Sequence, residues 1–185
     1  MLGHRERNRI VSHRKGFVSA IITLLVWGMP FAVFTEAQES PETLYQKAIP
    51  AVVYIMNERV GGEGAIGSGF VIRPDGVIAT NYHVFQGAQK VSVRFSDGKE
   101  FPVTGVLAYS VEKDFCLLKI EAQDLSALPL GDSRAMNIGA DVYAIGNPLG
   151  FEYSFSRGNL SGKRVDKTIE WLQFTAPVSP GNSGG

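Results

Sequence analysis

The sequence predicts an all-β protein, a sandwich or barrel of short strands placed behind a leader for export. Three observations carry that expectation. The 185 residues include 21 glycines and nine prolines, so turns interrupt the chain throughout. Short apolar runs recur between turn signals from Ala51 to Phe174. No segment after Gln46 sustains a helical period. Hydrophobic residues make up 44% and charged residues 19%, a balance that supports a packed core rather than disorder. A chain of this length fits one domain, or one two-lobed domain, plus the leader.

The leader comes first. Arg5, Arg7, Arg9, Arg14 and Lys15 precede an apolar run from Phe17 to Phe34, and Thr35-Glu36-Ala37 puts small residues where a signal peptidase reads. Residues 1–37 therefore read as a signal peptide or a membrane-anchor helix. The run of about eighteen residues is at the short edge for a membrane span, and Pro30 interrupts it, which favours cleavage. In both cases the basic end stays inside and residues 38–185 are exported, to the periplasm, the cell envelope or the medium.

Ser40 and Pro41 then open a short helix, with Ser40 as its cap and Pro41 at its first position. Strands follow. Val52 to Ile55 is the first, and Gly69 to Ile72 is joined to Val77–Thr80 by Arg73-Pro74-Asp75-Gly76, where Pro presets φ and Gly takes a positive value. Val91 to Phe95 alternates strictly, as a half-buried strand does, and Ser96 to Lys99 turns the chain into Phe101–Ala108. Phe115 to Ile120 reads as a buried strand, Asp141 to Ile145 as another, and Tyr153–Gly162 with Thr168–Phe174 as a final pair. Gly61 to Gly67 reads as a glycine-rich loop. Gly146 to Gly150 lacks the Lys-Ser/Thr of a phosphate loop and reads as a strand-end turn. Periodicity alone does not separate a sandwich from a barrel.

Composition excludes several functions. The 18 basic and 18 acidic residues cancel, so no basic excess points to a nucleic-acid partner. The single cysteine, Cys116, allows no intrachain disulfide and no cysteine metal cluster, and it sits in Phe115-Cys116-Leu117-Leu118 as a core residue would. No metal or organic cofactor is implied.

Three segments carry chemistry, in the order His, Asp, Ser: Thr80-Asn81-Tyr82-His83-Val84, Lys113-Asp114-Phe115, and Pro180-Gly181-Asn182-Ser183-Gly184-Gly185. A serine hydroxyl is a poor nucleophile until a base takes its proton, and imidazole titrates near neutrality. A carboxylate behind the ring fixes its tautomer. A tetrahedral oxyanion needs backbone donors, and Gly181 frees its own N–H to converge with that of Ser183. Taken singly, His83 is a structural histidine, Asp114 a turn cap and the serine segment a plain turn. Their conjunction points to catalysis, with His83 as base, Asp114 as its orienter, Ser183 as nucleophile and Gly181 and Ser183 as oxyanion donors.

At these residues the chain resembles the HtrA/Deg family of trypsin-like serine proteases. Further segments share the likeness: Ala48 to Val53, Gly67 to Ile72 with Asp75-Gly76, Leu130 to Ser133, and Ala144 to Pro148. The resemblance covers residues 42–185. It implies a double β-barrel with the active site between the lobes, the first spanning about 42–130 and the second about 131–185. It also implies polypeptide substrates, unfolded or damaged proteins of the cell envelope, and an enzyme that in this family often works as a homotrimer with a PDZ domain. The sequence ends at Gly185, whereas in the double barrel later strands close the second lobe. The expectation is a fragment of a longer protein, its second barrel incomplete and its own activity slight. Two residues depart from the pattern. Ala176 stands where many members place Asp. Pro177, at the floor of the primary specificity pocket, carries no charge, which predicts small or aliphatic side chains at the cleavage site rather than Lys or Arg. Asn182 cannot form the ion pair that activates pancreatic-type zymogens, so activation by propeptide clipping is not expected. The alternative reading is a non-catalytic chaperone or peptide-binding module of the envelope on the same fold. A short membrane-anchored structural protein is a third, supported by the leader alone.

Overall fold

The computed structural model describes residues 39–59, 61, 64–147, 153–166 and 169–185. The leader expected over residues 1–37 lies outside them, as do residues 148–150 of the Gly146–Gly150 turn. Among the described residues no helix is long and apolar enough to cross a membrane.

The first element is α1 (Pro41–Ala48), and the Ser40 hydroxyl accepts the Thr43 N–H at 3.1 Å, capping it as its sequence predicts. A single 3₁₀ turn, Ile49–Ala51, leads into the sheet. Six strands follow: β1 (Val52–Arg59), β2 (Gly64–Arg73), β3 (Val77–Thr80), β4 (Ala88–Phe95), β5 (Glu100–Ser110) and β6 (Phe115–Ile120). They close into an antiparallel barrel in the order β1-β2-β3-β6-β5-β4, with β4 pairing back onto β1. Closure resolves the choice between sandwich and barrel and leaves no free strand edge in this lobe.

Alternation drives the barrel. In β4, Val91, Val93 and Phe95 point inward; in β6, Cys116, Leu118 and Ile120 do. They meet Val53, Ile55, Val71 and Ile78 in one apolar core. Each such side chain contributes about 1.5–3 kcal/mol by leaving water. Cys116 is fully buried, and desolvation pushes its thiol pKa up, so it behaves as a small apolar residue. The Pro74–Gly76 turn joins β2 to β3, and Gly76 takes a φ of +92°. A Cβ there would collide with the Ile120 carbonyl, so the hairpin tip is seated on the end of β6.

The remaining strands, β7 (Asp141–Gly146), β8 (Ser154–Asp166) and β9 (Ile169–Phe174), form a three-stranded antiparallel sheet in that order. Leu160 of β8 is its most buried side chain. One expectation needs correction. The segment Gly64–Gly67 belongs to β2, not to a loop, because it completes the ladder with β1 from Glu58 to Ile55. His83 stands on a single helical turn, α2 (Tyr82–Phe85), which the strand texture around it conceals.

Candidate active site

His83 is placed by what surrounds Val84. The buried Asn57 of β1 donates from Nδ2 to the Val84 carbonyl and accepts the Ala65 N–H at 2.7 Å, tying α2 to the β1–β2 ladder. Val84 itself is buried, with its side chain over Gly67. His83 is therefore held by its neighbour while its own ring faces out, 53% exposed.

Asp114 ends the Val111–Asp114 turn that enters β6, and its N–H donates to the Val111 carbonyl at 3.2 Å. Its φ of +48° is left-handed, a conformation that Asp tolerates and most residues do not. The Asn81 amide donates to the Asp114 carbonyl at 2.7 Å and holds the turn against α2. The Asp114 carboxylate then meets His83 twice: Oδ1 accepts the His83 backbone N–H at 2.9 Å, and Oδ2 lies 2.7 Å from Nδ1. Burial is the largest single influence on this carboxylate and pushes its pKa up. The bonds from the His83 N–H and ring, the charge of His83 and the backbone of Tyr82 together outweigh it, so the pKa lies below the usual carboxylate range. The group stays ionised, as an orienter of imidazole must.

Ser183 arrives from the far end of the chain. Thr175, Ala176 and Pro177 lie along β8: the Thr175 N–H bonds the Asn159 carbonyl at 3.1 Å, and Ser156 Oγ bonds the Pro177 carbonyl at 2.7 Å. A Cβ on Gly158 would sit 2.6 Å from the Ala176 Cα and from the Thr175 carbonyl carbon, so only glycine lets the two backbones cross. Gly158→Ala forces them apart at a cost of about 1–3 kcal/mol. Its expected signature is a thermal unfolding midpoint lowered by several degrees in the full-length protein; an unchanged midpoint would mean that the crossing is loose.

The chain then turns at Ser179–Asn182, where the Asn182 N–H bonds the Ser179 carbonyl at 3.0 Å and Gly181 has a φ of +101°. Pro at the second position and a left-handed Gly at the third are the marks of a type II turn. Gly184 closes tightly behind it: a Cβ there would strike the Ser68 carbonyl and the Thr80 hydroxyl, and would stand 3.0 Å from the Asn81 nitrogen. The Ser183 carbonyl accepts the Ser68 N–H at 2.8 Å.

Gly67 is the meeting point. A Cβ on it would lie 2.8 Å from Val84 Cγ2 on one side and 3.3 Å from the Ser183 carbonyl oxygen on the other. His83 and Ser183 thus follow residues seated on the same short piece of β2. The His83–Asp114 pair is fully assembled. Among the described residues the Ser183 hydroxyl makes no hydrogen bond, to His83 or elsewhere; such bonds are often long before substrate binds. The backbone N–H groups of Gly181 and Ser183 likewise donate to no acceptor among the described residues. Beside Ser183 a cleft of about 270 Å³ is lined by Asn81, Ala144, Val178, Ser179 and Asn182. Pro177 is exposed and stands outside that lining.

Sequence reasoning missed Ser68, Asn57, Thr80, Asn81 and Asn147 as parts of this site. Ser68 carried a signal, being a small polar residue inside the otherwise apolar run from Gly64 to Ile72. Asn81 and Thr80 carried another, as neighbours of His83.

A closed antiparallel barrel carrying an Asp-bound histidine, with a Gly-Asn-Ser-Gly-Gly turn anchored to the same barrel, fits a chymotrypsin-like peptidase architecture. Residues 67–185 match the family of trypsin-like peptidase domains, and the chain belongs to that family. Among the proteins it resembles are DegP-like and HtrA-type serine proteases. It is 39% identical over 125 residues to a probable periplasmic serine endoprotease DegP-like of Pseudomonas savastanoi pv. phaseolicola, covering 65% of this chain and 26% of that one. It is 43% identical over 124 residues to the same kind of protein from Hahella chejuensis, covering 64% and 26%. The HtrA-type protease AlgW, solved with a tripeptide, superposes with a TM-score of 0.74 at 30% identity, covering 80% of this chain and 50% of that one. The serine endoprotease from Yersinia pestis gives 0.70 at 31%, covering 81% and 53%. The chain spans about a quarter of the length of the curated relatives it matches.

Proposed function

We propose that the protein is a serine endopeptidase acting on exported, unfolded or damaged polypeptides. The observation that carries the reading is the two-point grip of Asp114 on His83, at 2.9 and 2.7 Å, with Ser183 anchored to the strand that also seats Val84. With Nδ1–H bonded to Asp114, the imidazole presents its Nε2 lone pair outward. That nitrogen takes the Ser183 proton as Oγ bonds to the scissile carbonyl carbon, and the carbonyl electron pair moves onto oxygen. The unused N–H groups of Gly181 and Ser183 receive that oxyanion. Collapse of the intermediate breaks the C–N bond, and the imidazolium returns its proton to the leaving amine. Water repeats the cycle on the acyl-enzyme and frees Ser183.

Uncharged residues around the cleft favour small or aliphatic side chains at the cleavage site. Val178 in the cleft lining brings no carboxylate to pair with Lys or Arg, and neither does the adjacent Pro177 outside it, so a Val-ending peptide substrate is expected to be cleaved faster than an Arg-ending one in the full-length protein. The reverse order, by tenfold or more, would remove this specificity assignment. The basic and apolar leader over residues 1–37 and the periplasmic relatives support work outside the cytoplasm.

The test of the activity is covalent. A fluorophosphonate probe should label the full-length protein, and the adduct should map to Ser183. A folded full-length protein that takes up no label favours a peptide-binding module instead.

A further inference from the structure

Ser68 sits between two glycines in β2 and is fully buried, and every polar atom it has is engaged. Its N–H donates to the Ser183 carbonyl at 2.8 Å, and its carbonyl accepts the Thr80 hydroxyl at 2.7 Å. Its own hydroxyl lies 2.8 Å from the Gly181 carbonyl oxygen, 2.9 Å from the Asn147 backbone nitrogen and 3.1 Å from Asn147 Nδ2. Asn147 is also fully buried. Its side-chain orientation is fixed by its other partners: Nδ2 donates to the Val53 carbonyl at 3.2 Å, and Oδ1 accepts the Tyr153 N–H at 3.0 Å.

The direction of the Ser68 proton follows. A hydroxyl has one donor and two acceptor sites. Asn147 fills both acceptor sites, one with its backbone N–H and one with Nδ2–H. The single Ser68 proton is left to the Gly181 carbonyl, which can only accept. Ser68 thus grips two carbonyls, those of Gly181 and Ser183, by its hydroxyl and its N–H. These belong to the two residues whose N–H groups donate to no acceptor among the described residues. Space is tight on the other sides: a Cβ on Gly146 would lie 3.0 Å from Ser68 Oγ, and one on Gly185 would lie 3.3 Å from Ser68 Cβ. Packing alone would be met by alanine; a buried hydroxyl is there for its bonds.

We propose that Ser68 is a positioning residue for peptide hydrolysis, and that Asn147 sets its hydroxyl: together they hold the Gly181–Ser183 turn so that both backbone amides converge on the oxyanion. This rests on the endopeptidase reading and on the assignment of those two amides. The Ser68 hydroxyl touches neither substrate nor the reacting atoms. Its effect is transmitted through the Gly181–Asn182 and Ser183–Gly184 peptide planes it fixes, which adjoin the planes carrying the two amides, and a displacement of about 1 Å in such a site is enough to cost about a hundredfold in rate.

Ser68→Ala in the full-length protein tests this, with Asn147→Ala as the graded companion that removes one of the two donors to Ser68. The readouts are kcat and KM on a peptide substrate, the affinity of a peptide boronate that forms a tetrahedral adduct on serine, and the affinity of an uncleaved product peptide. The expected result for Ser68→Ala is a fall in kcat of about 10²-fold and a parallel weakening of the boronate, with KM and product affinity changed less than about threefold. Asn147→Ala should lie between this variant and the wild type on the same line. A folded Ser68→Ala protein with kcat within threefold of wild type overturns the proposal. So does equal weakening of boronate and product peptide, which would make the defect one of general binding. Loss of folding in both variants overturns it too, since it assigns the network to the fold. Hydrolysis that survives Ser183→Ala sinks the underlying endopeptidase reading, and does so independently of Ser68.

Discussion

Ser183→Ala is expected to lower peptide hydrolysis by the full-length protein about a million-fold, or about 8 kcal/mol of transition-state stabilisation. The size follows from how the candidate site is built. In the proposed mechanism Asp114 and His83 act on substrate only through a hydroxyl that can give up its proton; remove that oxygen and the assembled pair has nothing to deprotonate. What survives is the contribution of the two backbone amides and of substrate binding, which remains well above the uncatalysed rate. The substitution removes one oxygen, on a half-buried residue, that has no hydrogen-bond partner among the described residues, so stability should be unchanged. Steady-state hydrolysis and thermal unfolding check both halves. Residual activity within a hundredfold of wild type would mean that Ser183 is not the nucleophile.

Asp114→Asn should cost about 10⁴-fold in kcat, about 5 kcal/mol, with the fold intact. The direction is fixed by the two atoms of the carboxylate. Oδ1 faces the His83 backbone N–H at 2.9 Å, a donor that cannot rotate away. In the variant the amide oxygen must stay there, so the amide NH₂ takes the place of Oδ2, opposite Nδ1 at 2.7 Å. It donates to Nδ1 and drives the ring proton to Nε2, the nitrogen that has to receive the serine proton. The base is present but in the wrong tautomer. Fluorophosphonate labelling of Ser183 should slow in step with kcat, whereas KM should move little. A loss of less than tenfold would show that Asp114 does not set the tautomer.

The same pair has a pH signature in stability. The Asp114 carboxylate is more acidic in the folded protein than in the unfolded chain, so the fold gains from its ionised form at all pH values above the usual carboxylate range. That gain is lost as pH falls below this range and the group protonates in the native state. The stability difference between wild type and Asp114→Asn should therefore shrink toward zero in acid. Both groups are more than a third exposed, so the difference itself is small.

Much of this was legible in the residues. The Ser40 cap, the Pro74–Gly76 turn and the strands from Val91 to Phe95 and Phe115 to Ile120 are written in local periodicity and in single turn residues. Those features act over a few positions, and their outcome does not depend on the rest of the chain. The His, Asp and Ser segments could likewise be named from residue type and order. Two kinds of feature were hidden. The four-residue helical turn under His83 is too short to show a helical period, and it is imposed by Asn57 gripping the Val84 carbonyl. The start of β2 at Gly64 looked like a loop because four of the seven residues from Gly61 to Gly67 are glycine; pairing with β1 overrides that propensity.

Residue pattern alone thus determined an all-β chain, its main strands, its buried cysteine and the side chains that can do acid–base and nucleophilic chemistry. Only the tertiary structure decided that β1 to β6 close into a barrel, that Gly67 is where the His83 and Ser183 segments meet, and that the Ser68 hydroxyl bonds both the Gly181 carbonyl and Asn147. Ser68 and Gly181 stand 113 positions apart, and Ser68 and Asn147 stand 79 apart. A buried hydrogen bond between such residues exists only once strands from both ends of the chain have packed and excluded water, and no local pattern encodes which donor will find which acceptor.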